Sequence, residues 1–212
     1  MKNILIGPAY PLRGGIANFN HALCKAFNKN GIDSEIISYS LQYPSVLFPG
    51  KTQYETDSQP PENIKIYTGL NSINPFSWNR IAKKIISKNP DYIVLKFWMP
   101  FFGMALGTIA KKIRKKTNIK IIALCHNAIP HEQRPGDMYL LKYFLKKCHG
   151  FITLSKSVAD DIQRITGSQN VKFIPHPIYD IFGEKIEKNS AKKQLSLDKD
   201  TRSEEHTSEL QS

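Results

Sequence analysis

Polar and ionisable side chains follow an apolar run near the middle of the chain. The segment IIALCHNAIPHEQRPGD, residues 121–137, passes from hydrophobic residues into His126 and Asn127 and then, within the same loop, into Glu132. An imidazole, an amide and a carboxyl group can hydrogen-bond a polar ligand and exchange protons with it. A lone histidine is more often a hydrogen-bonded core residue. The polar neighbours of His126 in the same loop favour an active-site role for it.

A second candidate site lies near the start of the chain. The loop GPAYPLRGG, residues 7–15, ends in Gly14 and Gly15 directly before a segment with helical apolar spacing. Glycines at a helix start let backbone N–H groups approach a phosphate, although an ordinary tight turn is the simpler interpretation. The loop is not G-x-G-x-x-G, and no acidic residue is placed to hold a ribose, which disfavours a dinucleotide-dependent dehydrogenase.

Aromatic residues form a third group in KFWMPFFGM, residues 96–104. Phe101 or Phe102 is expected to pack in the core. Trp98, at the end of the strand, is predicted to contact a sugar ring or a lipid chain of an acceptor.

Metal binding is not expected. The candidate ligands are Cys125, His126, His131, Cys148 and His149. Their spacing fits no common zinc arrangement, and the adjacent strand residues Cys125 and His126 point to opposite faces. The chain has three cysteines at irregular spacing, which indicates reduced thiols and a cytoplasmic location.

Alternating strand and helix patterns must position these groups. Apolar runs predict strands near residues 3–7, 34–39, 64–68, 92–98, 120–126, 150–155 and 171–175. Helical patterns fill most of the intervals, with Ser155 or Ser157 as the N-cap of the last helix. The runs do not alternate, as expected for parallel strands covered on both faces. This order predicts an α/β, doubly wound, Rossmann-like domain, whose carboxyl strand ends would bring Gly15 and His126 to one crevice.

Charge and segment composition suggest partners. The formal net charge is +12, spread over helical segments rather than a tail, which is typical of solvated helix faces but also suits an anionic membrane surface. No nucleic-acid-binding motif is present, so nucleic acid is not an expected partner. The polar connection at residues 40–63 is long for a loop inside a compact domain, and loops of this length more often have a function than serve only as connections. No export signal is recognisable.

The sequence divides into three parts. Residues 1–185 are predicted to be the Rossmann-like domain, and residues 186–201 the start of a passage into a second domain. The last eleven residues, RSEEHTSELQS (202–212), resemble a translated sequencing adapter, so we expect an artefactual tail on a truncated chain.

Several motifs together resemble a known enzyme family. They are PLRGGIANFNHAL, QYPSVLFPGKTQYETD, CHNAIPHE, FITLSKSVADDI and IPHPIYDIFGE, in this order along the chain. They are similar to the N-terminal, acceptor-side half of bacterial glycosyltransferase family 4 enzymes, which have the two-domain GT-B architecture. The resemblance extends from Met1 to about Leu197.

The resemblance implies a function and assigns roles. A retaining enzyme of this family transfers a sugar from a nucleotide-sugar co-substrate, without a further cofactor, to a saccharide or lipid-linked acceptor in polysaccharide synthesis. Gly14 and Gly15 would approach the donor diphosphate, and His126 would lie beside the donor sugar. Asn127 and Glu132 would shape the acceptor side. Docking on the inner face of the membrane would follow from the lipid-linked acceptor.

The same resemblance predicts that this chain alone is inactive. In the family most donor contacts come from a C-terminal domain, including a Glu-x7-Glu pair and basic residues on the phosphates, and this donor-binding half is not expected in residues 1–212. Two other functions stay open: a non-catalytic anion-binding or nucleic-acid-binding module, and a GT-B nucleotide-sugar epimerase.

Overall fold

The computed structural model describes residues 1–44, 52–55, 59–130, 134–177 and 186–198. The chain divides into two units, Met1–Ile174 and Pro175–Ser212. The described strands are β1 (Lys2–Ile6), β2 (Asp33–Leu41), β3 (Lys65–Asn71), β4 (Tyr92–Phe97), β5 (Lys120–Cys125), β6 (Gly150–Thr153) and β7 (Val171–Phe173). The described helices are α1 (Gly15–Lys29), α2 (Pro75–Lys88), α3 (Gly103–Arg114), α4 (Asp137–Leu145), α5 (Lys156–Thr166) and α6 (Lys188–Gln194).

The first unit is built on one parallel sheet. Its seven strands lie in the order β3-β2-β1-β4-β5-β6-β7, and all six neighbouring pairs are parallel. The chain moves outward from β1 to β3 and then crosses to β4 on the other side of β1. The carboxyl ends of β1 and β4 therefore form the switch point at which ligands bind in open α/β sheets. The expected doubly wound, Rossmann-like fold is confirmed.

Helices cover the two faces of the sheet. Along β4, Lys96 faces α1, where it contacts Phe19, while Phe97 faces α4 and stacks on Phe144 with ring centroids 4.6 Å apart. This alternation follows from the period of two in a strand. Helix α3 packs between α2 and α4. Burial on both faces explains the continuous apolar runs of the central strands.

Local sequence signals fix several helix ends. Ser155, one of the two expected caps, is the N-cap of α5, and its Oγ accepts a hydrogen bond from the Val158 N–H at 3.3 Å. Asn74 caps α2 in the same way through the Phe76 N–H at 2.9 Å. Asn89, after α2, has a left-handed conformation that ends the helix. A short 3-10 turn at Pro100–Phe102 precedes α3, and no sequence pattern indicated it.

The second unit contains α6, which begins after Glu187, whose carboxylate accepts hydrogen bonds from the Asn189 and Ser190 N–H groups. The presumed adapter tail and residues 178–185 lie outside the described residues. Among the helices that the structure describes, none is long and apolar enough to cross a bilayer.

Candidate active site at the carboxyl edge of the sheet

The loop between β1 and α1 ends in a backbone conformation that requires glycine. Gly14 has φ 115° and ψ 166°, a region that L side chains rarely adopt, and Gly15 begins α1. Both glycines are exposed, and a β-carbon on either would meet no heavy atom of the described residues within 4 Å. Because Gly14 has no side chain, it cannot cap α1 itself. The positive end of the helix dipole lies at this exposed turn, where it favours negative charge.

Buried polar side chains hold this loop in place. The Asn20 side-chain amide donates to the Pro8 carbonyl at 2.8 Å, and the Ser38 hydroxyl accepts from the Ala9 N–H at 2.9 Å. Nε2 of His21 accepts from the Tyr10 N–H at 3.0 Å. The loop is thus fixed by α1 and β2 before any ligand binds.

Acidification is expected to loosen the loop through His21. Burial, with a smaller contribution from Lys25, lowers the pKa of His21 to about 4. The unfolded chain would bind a proton near pH 6.5 but the folded chain would not, so stability is full above about pH 6.5 and falls as pH drops towards 4. Urea denaturation should show this loss, and His21→Gln, which keeps a neutral acceptor, should reduce it. An identical pH dependence in the variant would contradict the role of His21.

Part of the long connection packs against the same loop. The Arg13 N–H donates to the Gln53 carbonyl at 3.0 Å, and the Glu55 N–H donates to the Pro11 carbonyl at 2.8 Å. The Gln53 side chain also exchanges two hydrogen bonds with the backbone of Tyr43, at 3.2 and 3.0 Å. Residues 52–55 therefore connect the loop at residues 7–15, here called the glycine loop, to the end of β2. Residues 45–51 and 56–58 lie outside the described part of the chain.

His126 lies directly after β5, two strands from β1, at the same edge of the sheet as the glycine loop. The residue is half-buried, with Nε2 shielded from solvent, and its ring makes a T-shaped contact with Phe19, with centroids 5.5 Å apart. Phe19 is one helical turn after Gly15, so the start of α1 extends across to the end of β5. The structure thus brings Gly14, Gly15 and His126 to one rim.

The acceptor-side candidates are placed differently from one another. Asn127 is half-buried beside His126, and Glu132 lies outside the described residues. Trp98 is only 8% exposed, and its indole N–H donates to the Tyr43 hydroxyl at 2.8 Å. It packs on Phe102 with ring centroids 4.2 Å apart. Trp98 is therefore part of an aromatic cluster, and its contact with an acceptor stays a prediction.

One ionisable residue at this edge, Lys96, was not predicted as a site residue from the sequence. Lys96 is 2% exposed, and its Nζ lies 3.3 Å from the centroid of the Phe19 ring. Its burial lowers its pKa well below the ordinary value. The signal was present in YIVLKFW, residues 92–98, where a single charge interrupts an apolar strand. Among the described residues, no group of three or more His, Cys, Asp or Glu side chains could hold a metal ion.

This parallel strand order is that of a Rossmann-like domain, and solved structures of two sugar-nucleotide enzymes share it. An α-glucosyltransferase solved with UDP and a 13-mer DNA superposes with a TM-score of 0.56 at 10% identity, covering 86% of this chain and 42% of that one. The UDP-N-acetylglucosamine 2-epimerase of Rickettsia bellii gives a TM-score of 0.58 at 15% identity, covering 93% of this chain and 52% of that one. This chain therefore spans about half the length of either structure.

The chain belongs to glycosyltransferase family 4, whose sequence pattern matches residues 13–180. The match begins in the glycine loop and includes His126 and Asn127. No curated protein matches the sequence.

Proposed function

We propose that this chain is the N-terminal, acceptor-side half of a retaining glycosyltransferase. The whole enzyme would transfer a hexosyl group from a nucleotide-sugar to a saccharide or lipid-linked acceptor in the synthesis of a cell-surface polysaccharide. The observation that carries the proposal is the meeting of the glycine-initiated α1 and His126 at one rim, beside the switch point of the sheet. Family membership supports it.

The geometry suggests how this half would contribute to sugar transfer. The start of α1 would receive the diphosphate, since the helix dipole and approachable N–H groups favour negative charge. His126 would hydrogen-bond the donor sugar and stabilise the positive charge that develops at the anomeric carbon. Such a loose transition state gains from fixed dipoles and a well-held leaving phosphate. Asn127 and Glu132 would contact the acceptor.

The donor-binding half of the enzyme would lie in a second domain. This chain covers 42% and 52% of the two solved structures described above. We therefore expect an extended chain that carries the second domain to transfer sugar, and Met1–Ser212 alone to give no measurable turnover. The experiment is a transfer assay of both chains against a panel of nucleotide-sugars, with products analysed by mass and by NMR.

The same assay distinguishes the competing functions. Retention of the anomeric configuration in a glycoside product supports the proposal, and inversion contradicts the retaining mechanism. Conversion of a nucleotide-sugar into its epimer without an acceptor would replace the transferase by an epimerase, the activity named for the Rickettsia bellii structure. DNA is present in the α-glucosyltransferase complex, so the expectation of no nucleic-acid partner is tested by adding duplex DNA.

A surface of α2 fits peripheral binding to the cytoplasmic face of the membrane. Phe76 is 86% exposed, and Ile73, just before the helix, is 52% exposed. Arg80 and Lys83 follow Phe76 at intervals of four and three, so the three side chains share one helix face and all are exposed. An apolar tip beside basic residues suits the boundary of an anionic bilayer.

Replacing Phe76 with serine is expected to weaken binding to anionic vesicles about tenfold, because a buried phenyl group contributes roughly 1.5–3 kcal/mol. Co-sedimentation at low salt would measure this, and high salt should release the protein because the charges are screened. Lys25→Ser, on α1 at the other face of the sheet, is the control and should bind as wild type. Equal pelleting of the Phe76 variant, or equal binding to neutral vesicles, would contradict membrane docking by α2.

A further inference from the structure

Lys96 occupies the switch point of the sheet. It is the penultimate residue of β4, and the residue before it pairs with Ile6 of β1. Its side chain lies between the sheet and α1, next to the start of the glycine loop. A β-carbon on Gly7 would lie 2.8 Å from Cβ of Lys96, so the absence of a side chain at Gly7 makes room for the lysine.

The amine of Lys96 contacts an aromatic ring but makes no hydrogen bond to the described residues. Among the described residues its Nζ has no hydrogen-bond partner, although the side chain is only 2% exposed. The centroid of the Phe19 ring lies 3.3 Å from Nζ, and its face attracts a cation. The ring does not accept conventional hydrogen bonds from the N–H groups of Lys96. Burying an amine in this way is costly, and an apolar residue would pack at this position without the cost. Such exceptions require an explanation and occur often at functional sites.

Within the described part of the chain, the groups around Lys96 provide no negative charge that would pair with a charged amine. On the α1 side Phe19 lies against it, and the Asn20 amide, which is near Gly7 like Cβ of Lys96, donates to the Pro8 carbonyl. On the β5 side are Cys125 and, beyond Phe19, His126. The Cys125 thiol stays neutral because burial raises its pKa to about 12. The site around Lys96 therefore suits an anion supplied by a ligand.

We propose that Lys96 binds a phosphate oxygen of the ligand at the switch point. The lysine adds a charged hydrogen-bond donor to the start of α1, one turn from Phe19. Its flexible stem lets Nζ move from the Phe19 ring towards the rim, where the ammonium group would pair with the oxyanion. This inference rests on the proposed function and deepens it. The phosphate belongs either to the nucleotide-sugar diphosphate or to the phosphate of a lipid-linked acceptor.

The test is a backbone NMR titration of Met1–Ser212 with inorganic pyrophosphate, using the amides of Gly14 and Gly15 as reporters. Lys96→Met, which keeps the length of the side chain without its charge, is expected to weaken binding tenfold or more, the size of a charge-assisted hydrogen bond. Lys25→Met, which removes an exposed lysine from α1, should bind as wild type. A parallel titration with a short alkyl phosphate distinguishes the sources: preference for pyrophosphate indicates the donor, and preference for the alkyl phosphate indicates a lipid-linked acceptor.

Equal affinity of wild type and Lys96→Met, or no binding by wild type, would overturn the assignment. A second measurement excludes a purely structural role. Lys96→Met should raise the urea midpoint, because it removes an unsatisfied amine. The depressed pKa of Lys96 means that the gain is greatest at low pH and shrinks as pH rises towards the ordinary lysine value. A lower midpoint for Lys96→Met would show that the lysine serves packing and would contradict the inference.

The outcomes for Lys96 and for sugar transfer are separable. If the extended chain transfers sugar but pyrophosphate binding does not depend on Lys96, the role of Lys96 is refuted and the transferase function is retained. If pyrophosphate binding depends on Lys96 but the extended chain transfers no sugar, the phosphate subsite is retained and the transferase function is refuted.

Discussion

In an extended chain that carries the second domain, His126→Ala is expected to lower kcat for sugar transfer by about 10²–10³-fold, the usual effect of losing one preorganised electrostatic contact. The imidazole ring of His126, at the end of β5, packs against Phe19 of α1. This contact helps to fix the position of the imidazole before the donor binds. Its proposed contact strengthens as charge develops on the sugar. KM should therefore change much less than kcat.

The matched control is His149→Gln, at the opposite edge of the sheet. Nδ1 of His149 accepts a hydrogen bond from the Ile121 N–H at 3.0 Å, at the start of β5. This variant should lose some stability and keep its kcat. Steady-state kinetics of both variants provides the comparison. A His126→Ala enzyme with wild-type kcat, or equal losses in both variants, would remove His126 from the catalytic site.

The second large effect is expected for Phe102→Ala, which should lower the free energy of unfolding by about 3–5 kcal/mol. Phe102 is fully buried and contacts Tyr39, Trp98 and Phe101, with ring centroids 5.4, 4.2 and 5.0 Å away. Removing the ring leaves a cavity among rigid aromatic neighbours that cannot close it. Urea denaturation of Met1–Ser212 gives the difference.

Phe76→Ala is the control for the loss of a phenyl group. Phe76 is 86% exposed, so its replacement should change stability by less than about 0.5 kcal/mol. A Phe102 variant within 1 kcal/mol of wild type would mean that the aromatic cluster relaxes around the cavity. The cluster would then not be the rigid support of the β4 end that the contacts indicate.

The fold was predictable because local and tertiary signals agree. Apolar runs such as Tyr92–Phe97 are buried on both faces, which only a covered parallel strand provides. Ser155 and Gly167 mark the ends of α5 by simple capping chemistry. The strand boundaries differ from the expected ones by one or two residues in most strands, because strand ends fray.

The site was predictable only where its residues follow a strand directly. Gly15 and His126 were expected at one rim because parallel strands share their carboxyl edge. The role of Gln53 was not visible, since its contacts with Arg13 and Tyr43 join segments that are far apart in sequence. Trp98 was expected at the mouth, but whether a strand-end indole faces solvent depends on partners such as Tyr43. Lys96 is buried under α1 because it packs against Gly7 and Phe19. Both residues are far from Lys96 in sequence, so no local pattern could predict its burial.

The most direct measurement is a crystal structure of the extended chain with a nucleoside diphosphate bound. We expect the diphosphate within hydrogen-bonding distance of the Gly14 and Gly15 backbone, with room for the donor sugar beside His126. A nucleotide bound at the opposite edge of the sheet, near His149, would contradict it.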